Sequence, residues 1–283
     1  MQVIVTGARG QLGADVVRLL RTHGETVFAA DVDEMDVTDE NSVRDFFALH
    51  PSDAVVHCAA YTAVDNAESE PELCRMVNET GTLHVARCAE AQGAKLVYVS
   101  SDYIYPGTGD QPQTEDTPAA PLNVYGRTKY AGELAAAVCS RLFILRTSWV
   151  FGVHGENFPH KMLSLARTHD RLRVVDDQIG SPTFTEDLAT LICQMLHTES
   201  YGTYNATNEG FCSWYDFAAE IFRKTNLRIQ LDRVSTADFH APADRPRNSR
   251  LSKAALMDAG FSPLPTWQDA LDRFLAHTLT TTA

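Results

Sequence analysis

The chain is expected to fold as an α/β protein, with a doubly wound parallel sheet and a second, smaller mixed α/β domain. Three observations carry this expectation. The first half alternates short apolar runs with stretches of helical spacing, a glycine-rich turn follows the first run, and the alternation degrades after about residue 148. Consecutive parallel strands need a long crossover, and a helix supplies it, so strand–helix alternation yields a sheet covered by helices on both faces.

The runs QVIVT (2–6), TVFAA (26–30), AVVH (54–57), KLVYVS (95–100) and LFILRT (142–147) read as strands, several of them apolar on both faces. Between them, 11–23, 40–49, 71–92 and 124–138 place apolar residues at helical spacing. In the second half, RLRVV (171–175) and GTYNAT (202–207) read as short strands, and 157–168, 185–197, 213–225 and 266–278 as helices. HAPADRPRNSR (240–250) is an irregular, proline-bearing connection. Residues 1–148 are therefore assigned to the large domain and 149–283 mainly to a smaller substrate domain, with 185–197 returning to pack on the large sheet.

With 283 residues, 44% hydrophobic and 22% charged, the chain can bury a sizeable interior. No apolar stretch approaches the roughly 20 residues that span a bilayer. The N-terminal MQVIVTGARG lacks the features of a signal peptide, so a cytoplasmic location without a membrane partner is expected. Six cysteines (Cys58, Cys74, Cys88, Cys139, Cys193, Cys212) show no CxxC pair or metal-ligand spacing and read as reduced, small hydrophobes. Lys plus Arg number 24 against 37 Asp plus Glu, a net charge of −13, which argues against a nucleic-acid partner. RPRNSRLSK (245–253) runs against that trend with four basic residues and no acid. It is either a site for an anionic ligand or a solvated basic loop.

The turn VTGARGQLG sets Gly7, Gly10 and Gly13 between the first strand and the first helix. Gly7 serves a tight turn, Gly10 lets the backbone approach a pyrophosphate at the helix N-terminus, and Gly13 permits close helix–strand packing. Gln11 and Leu12, which open the helix, join this set. The GxxGxxG spacing at the chain start is a strong dinucleotide signal and makes the large domain Rossmann-like. Asp31, closing the second strand, can accept hydrogen bonds from an adenosine ribose and favours NADH, whereas Arg9 can pair with a 2′-phosphate and favours NADPH. Either cofactor is expected. Asp36 and Val37 of MDVTD fall beside the adenine, and Ala59, Ala60 and Tyr61 of CAAYT at the third strand's end leave room for cofactor.

In NVYGRTKYAGE (123–133), Tyr125 and Lys129 stand four apart and share a helix face. A free phenol has a pKa of about 10, and a neighbouring ammonium, helped by oxidised nicotinamide, is expected to stabilise phenolate and draw that pKa towards the working range. Lys129 can also hold a cofactor ribose. Ser101 ends the fourth strand at the sheet edge where such folds bind ligands, and its hydroxyl can polarise a carbonyl oxygen beside the phenol.

With these motifs in order, the chain resembles the extended short-chain dehydrogenase/reductases, and within them the dTDP-4-dehydrorhamnose reductase subgroup. The resemblance covers nearly the whole chain through TGARGQLG, AAYTAVDNAE, SSDYIYPGTG, PLNVYGRTKYAGE, RTSWVFG, DQIGSPT and RPRNSRL. It implies hydride transfer from NADPH or NADH to C4 of a dTDP-4-keto sugar, dTDP-4-dehydro-β-L-rhamnose, for cell-surface polysaccharide. Tyr125 would then be the acid, Lys129 its tuner and Ser101 the companion hydroxyl, where the family often has threonine. Thr62, Val64, Tyr103 and Trp149 would line the sugar pocket, with Gln178, Ser181, Thr183 and Arg250 on the nucleotide and its diphosphate. Some members dimerise through Mg²⁺ held by acidic residues. Asp15 and Glu186 are partial counterparts, but LTTTA at the C-terminus carries no acid, so no metal residue is assigned and a homodimer is only weakly implied.

Two other readings compete. A regulatory subunit of methionine adenosyltransferase shares the resemblance and binds NADP without needing catalysis, and turnover of NADPH separates it. A nucleotide-sugar epimerase or dehydratase would retain tightly held NAD, whereas a reductase must exchange its cofactor.

Overall fold

The computed structural model describes residues 1–280. Six parallel strands form its large sheet: β1 (Gln2–Thr6), β2 (Thr26–Ala30), β3 (Ala54–His57), β4 (Lys95–Ser101), β5 (Leu142–Thr147) and β6 (Gly202–Asn205). Their order is β6-β5-β4-β3-β1-β2. Side chains alternate across the sheet with the period of two that strands impose. Val3, Val5, Val56, Val97, Phe143 and Leu145 pack against α1 (Gln11–Thr22) and the helix Thr185–Leu196. Ile4, Val55, Leu96 and Ile144 pack on the opposite face with residues such as Val43, Phe47, Val85, Ala89 and Ala136. Burying one such side chain contributes about 1.5–3 kcal/mol, so both faces of the sheet are firmly held.

Two elements differ from the sequence reading. That reading returned only 185–197 to the large sheet, but the segment read as a short strand of the smaller domain also joins it, as β6 beside β5. Tyr204 enters the core on the α1 face, while the fully buried Asn205 gives its backbone N–H to Glu115. The expected single helix at 71–92 is instead helical at Pro71–Arg75, a π-turn at Met76–Gly81 and helical again at Thr82–Gln92. Asn78 in the π-turn bonds Tyr61 through both backbone groups and donates to Thr128 at 3.0 Å, tying the turn after β3 to the Val124–Ala136 helix. Buried asparagine hydrogen bonding thus coincides with the widened turn.

The smaller lobe packs Phe151, Phe184, Phe217 and Phe274 around one aromatic core, closed by the helices Trp214–Thr225 and Trp267–Thr280. Its strands are short; Arg171–Val175 pairs in parallel with Gln230–Val234. The end of the stretch read for a C-terminal acid, residues 281–283, lies outside the described residues. Among the described residues no helix is long and apolar enough to cross a membrane.

Candidate active site

The order of strands reverses at β1, whose neighbours are β2 and β3, and the turns leaving β1 and β3 meet at the C-terminal sheet edge. Gly7 takes φ 60°, and a Cβ there would lie 2.7 Å from Ala59 N. A Cβ on Gly13 would lie 2.1 Å from Gly7 O, so only glycine lets α1 start this close to β1. Below the turns, the buried His57 bridges Thr6 at 2.7 Å and Thr82 at 3.1 Å, and Thr6 Oγ1 accepts the Ala59 N–H. Burial, with Lys129 nearby, holds the imidazole pKa down at about 3, so His57 is a neutral brace.

A cavity of about 960 Å³ opens there and runs from the glycine turn to Ser101, Tyr125 and Lys129. Gly7, Arg9, Gly10, Gln11, Leu12 and Gly13 line one end with Asp31, Asp36 and Val37. Ala59, Ala60, Thr62, Val64, Tyr103 and Trp149 line the middle and far end. A dinucleotide fits this cradle. The first amides of α1 have no acceptor within the helix, no acid stands in its first turn, and the glycines admit a phosphate to the backbone.

At the ribose end, Asp31 accepts the Arg9 and Val32 backbone N–H groups, each at 3.0 Å. The Arg9 guanidinium pairs with Asp33 at 2.7 Å and Glu34 at 3.1 Å. Arg9 therefore already has anionic partners that a 2′-phosphate must displace. Tyr61 is the one expected cofactor residue whose side chain turns away, to Glu70.

Ser101 ends β4, caps the short helical turn Asp102–Ile104 by accepting the Tyr103 N–H at 3.2 Å, and donates to Asp102 Oδ1 at 3.0 Å. Its hydroxyl also meets the Tyr125 phenol. Tyr125 and Lys129 lie one turn apart on the helix Val124–Ala136, whose N-cap Asn123 accepts the Gly126 N–H at 2.7 Å. Lys129 is 2% exposed, donates to Val99 O at 2.6 Å and sits 4.3 Å over the Tyr98 ring. Burial pulls its pKa down to about 8, against the opposing pull of Glu133. The expected lowering of Tyr125 is not what this geometry gives. Burial pushes the phenol up, and the ammonium is engaged by the Val99 carbonyl. A phenol held protonated still suits the role of acid.

The sugar-facing expectations divide. Trp149 adopts φ 50°, rare for so bulky a residue, and stacks on Trp214 at 3.7 Å and 13°. Gly180 makes room for it, since a Cβ there would lie 2.9 Å from the indole. Gln178 lines a second cavity of about 480 Å³ with Arg245, Arg247, Phe239 and His240. Ser181 and Thr183 reach neither cavity; the Ser181 hydroxyl donates to Gly210 O at 2.8 Å and both residues are fully buried. Arg250 also lines neither and donates to Asn248 Oδ1 at 3.0 Å. Within the basic segment, Arg245 is bound in two bonds to Asp65 and Lys253 is buried near Glu209. Arg247, paired among the described residues with Asp177 at 3.9 Å, is an exposed cation facing the second cavity.

Sequence reasoning missed Asp102 and Trp214, which line the main cavity, and Arg247 in the second. Asp102 stood inside the quoted SSDYIY, and a carboxyl next to a strand-end serine was the available signal. Asp15 and Glu186 share Arg18 at 3.2 and 3.1 Å, so a cation side chain already lies between them. Among the described residues no group of three or more His, Cys, Asp or Glu is placed to hold a metal ion.

A dinucleotide cradle joined to a serine, a tyrosine and a lysine at the edge of a doubly wound sheet defines an oxidoreductase of the short-chain dehydrogenase class. The model of the RmlD substrate binding domain family matches residues 1–280, and the chain belongs to that family. It is 42% identical over 276 residues to the dTDP-4-dehydrorhamnose reductase of Streptomyces griseus, covering 95% of this chain and 91% of that one. The enzyme of that name from Escherichia coli K12 is 38% identical, with both chains covered completely. A crystal structure of dTDP-4-dehydrorhamnose reductase from Bacillus anthracis in complex with NADP superposes with a TM-score of 0.96 at 39% identity, covering 98% of this chain and 99% of that one.

Proposed function

We propose that the protein reduces the C4 ketone of dTDP-4-dehydro-β-L-rhamnose to dTDP-L-rhamnose. The observation that carries this is the single cavity in which the glycine cradle opens onto Ser101, Tyr125 and Lys129, with Trp149 on its far wall. When bound, NADPH or NADH supplies the hydride. The start of α1 would hold the pyrophosphate, and Lys129, fixed by Val99 O, would hold the ribose. Ser101 orients the ketone oxygen, and Tyr125 gives it a proton as charge develops there. Trp149, stacked on Trp214 and packed against Gly180, would give the sugar pocket a rigid apolar wall. The second cavity, with Arg247 at its wall, suits the nucleotide diphosphate.

The test is NADPH oxidation against a panel of dTDP-, UDP- and GDP-4-keto sugars. Turnover is expected with the dTDP sugar, and Tyr125→Phe should lower kcat by about 10² or more while leaving NADPH binding nearly intact. Wild-type protein that binds NADPH but turns over no 4-keto sugar would refute the reading. So would a Tyr125→Phe variant with normal kcat.

A further inference from the structure

Asp102 follows Ser101 at the sheet edge, lines the main cavity and is 3% exposed. Its Oδ1 accepts from Ser101 Oγ at 3.0 Å, and among the described residues its buried Oδ2 accepts no well-formed hydrogen bond, with the Ser249 hydroxyl nearby. Ser101 has one proton to give. While that proton points at an ionised Asp102, the serine offers the cavity only acceptor capacity and cannot donate to a ketone oxygen. Turning the proton to the ketone would strip a buried carboxylate of its Ser101 bond when one oxygen already lacks a partner, a costly state.

A neutral carboxyl removes the conflict. Its O–H donates to Ser101 Oγ, which also accepts the Tyr103 N–H, and both serine lone pairs are then used. The serine O–H is left free to point at the ketone oxygen, beside the Tyr125 phenol. We propose that Asp102 is a positioning residue for the ketone reduction, acting in its neutral form to turn the Ser101 hydroxyl onto the substrate. This rests on the reduction proposed above.

Burial, not the neighbouring groups, favours the neutral form. Facing Asp102 are the Ser249 hydroxyl from the smaller lobe and the phenols of Tyr103 and Tyr125, while Arg245, near Tyr103, is committed to Asp65. Burial is the largest influence and raises the carboxyl pKa from 3.8 to about 6, against the Ser249 and Ser101 hydroxyls and the backbone N–H groups of Asp102 and Tyr103. The group is thus neutral below that value and ionised above it.

Asp102→Asn keeps the shape and fixes an N–H donor towards Ser101. For wild type, kcat/KM for the 4-keto sugar should fall about tenfold per pH unit above about pH 6. In the Asn variant this decline should vanish, with kcat/KM at low pH within about threefold of wild type. Asp102→Ala, lacking a donor, should lose about tenfold or more at low pH, and Asp102→Asn should change nothing further in a Ser101→Ala background.

An Asn variant with the same pH decline, or with a uniform loss and an unaltered profile, overturns the inference. If the variant fails to fold, the wild-type profile alone decides: a flat kcat/KM between about pH 5 and about pH 8 overturns it too. Wild-type protein inactive on every 4-keto sugar overturns the reduction itself, and the inference with it.

Discussion

Replacing Glu133 by Gln should test how the helix that carries Tyr125 and Lys129 is held to the sheet. Glu133 lies on the helix that carries Tyr125 and Lys129, and its side chain is 4% exposed. It takes two bonds from Arg146 on β5, at 3.0 and 2.8 Å, and one from Ser100, the neighbour of Ser101, at 2.5 Å. Arg146 also donates to Tyr105 at 2.9 Å, so one buried network joins the helix, the ends of β4 and β5, and the turn after Ser101. The Gln side chain has nearly the same volume but no charge, leaving the Arg146 guanidinium buried without its counter-ion. Removing one partner of a buried pair typically costs about 3–5 kcal/mol. For a chain of this size, each kcal/mol shifts Tm by roughly 2–4 °C, giving an expected loss of roughly 6–20 °C. Thermal melting followed by circular dichroism measures it, with NADPH oxidation at a permissive temperature reading kcat in parallel. A shift below about 2 °C with kcat unchanged would show that Arg146 is satisfied without Glu133, and the network would lose its role in holding the helix.

Arg247→Ala should raise KM for the dTDP sugar by roughly 10-fold to 100-fold, the worth of a charge-assisted hydrogen bond, with less effect on kcat. Arg250→Ala should leave both within about twofold, and the reverse pattern in steady-state kinetics would return the diphosphate to Arg250. Arg9→Ala should weaken NADPH by about 3-fold to 10-fold and NADH hardly at all, a modest loss because Arg9 trades the exposed carboxylates of Asp33 and Glu34 for the 2′-phosphate. Equal losses in fluorescence titrations with the two cofactors would show that Arg9 does not read that phosphate.

The large domain was legible because its signals are local. Five strands and the glycine turn carry their pattern within about ten residues, and Tyr125, Lys129 and Ser101 stand at spacings that a helix and a strand end convert directly into positions. β6 was assigned to the wrong layer because four residues pair with β5 across a long sequence gap, and nothing in GTYN shows which sheet edge it will meet. The π-turn was hidden for a related reason. Asn78 looks like an ordinary helix residue until Tyr61 and Thr128 are seen to bond it.

The same division runs through the site. The identity of each reacting group is written locally, but its electrostatic state is set by residues far along the chain. Asp65 meets Arg245, Gln11 meets Asn157, and Asp102 faces Ser249, each pair joining the large domain to the smaller lobe. Arg245 looked like one member of a basic cluster aimed at an anion, yet Asp65 claims it; both Arg245 and Arg247 line the second cavity, and Arg247 is the more exposed of the two. Tyr125 looked like a phenol to be acidified by Lys129, yet burial raises it and the Val99 carbonyl holds the lysine. A phenol that stays protonated suits proton delivery to a ketone oxygen, and the Ser101 proton, which points at Asp102 Oδ1, could join it only if that carboxyl is neutral.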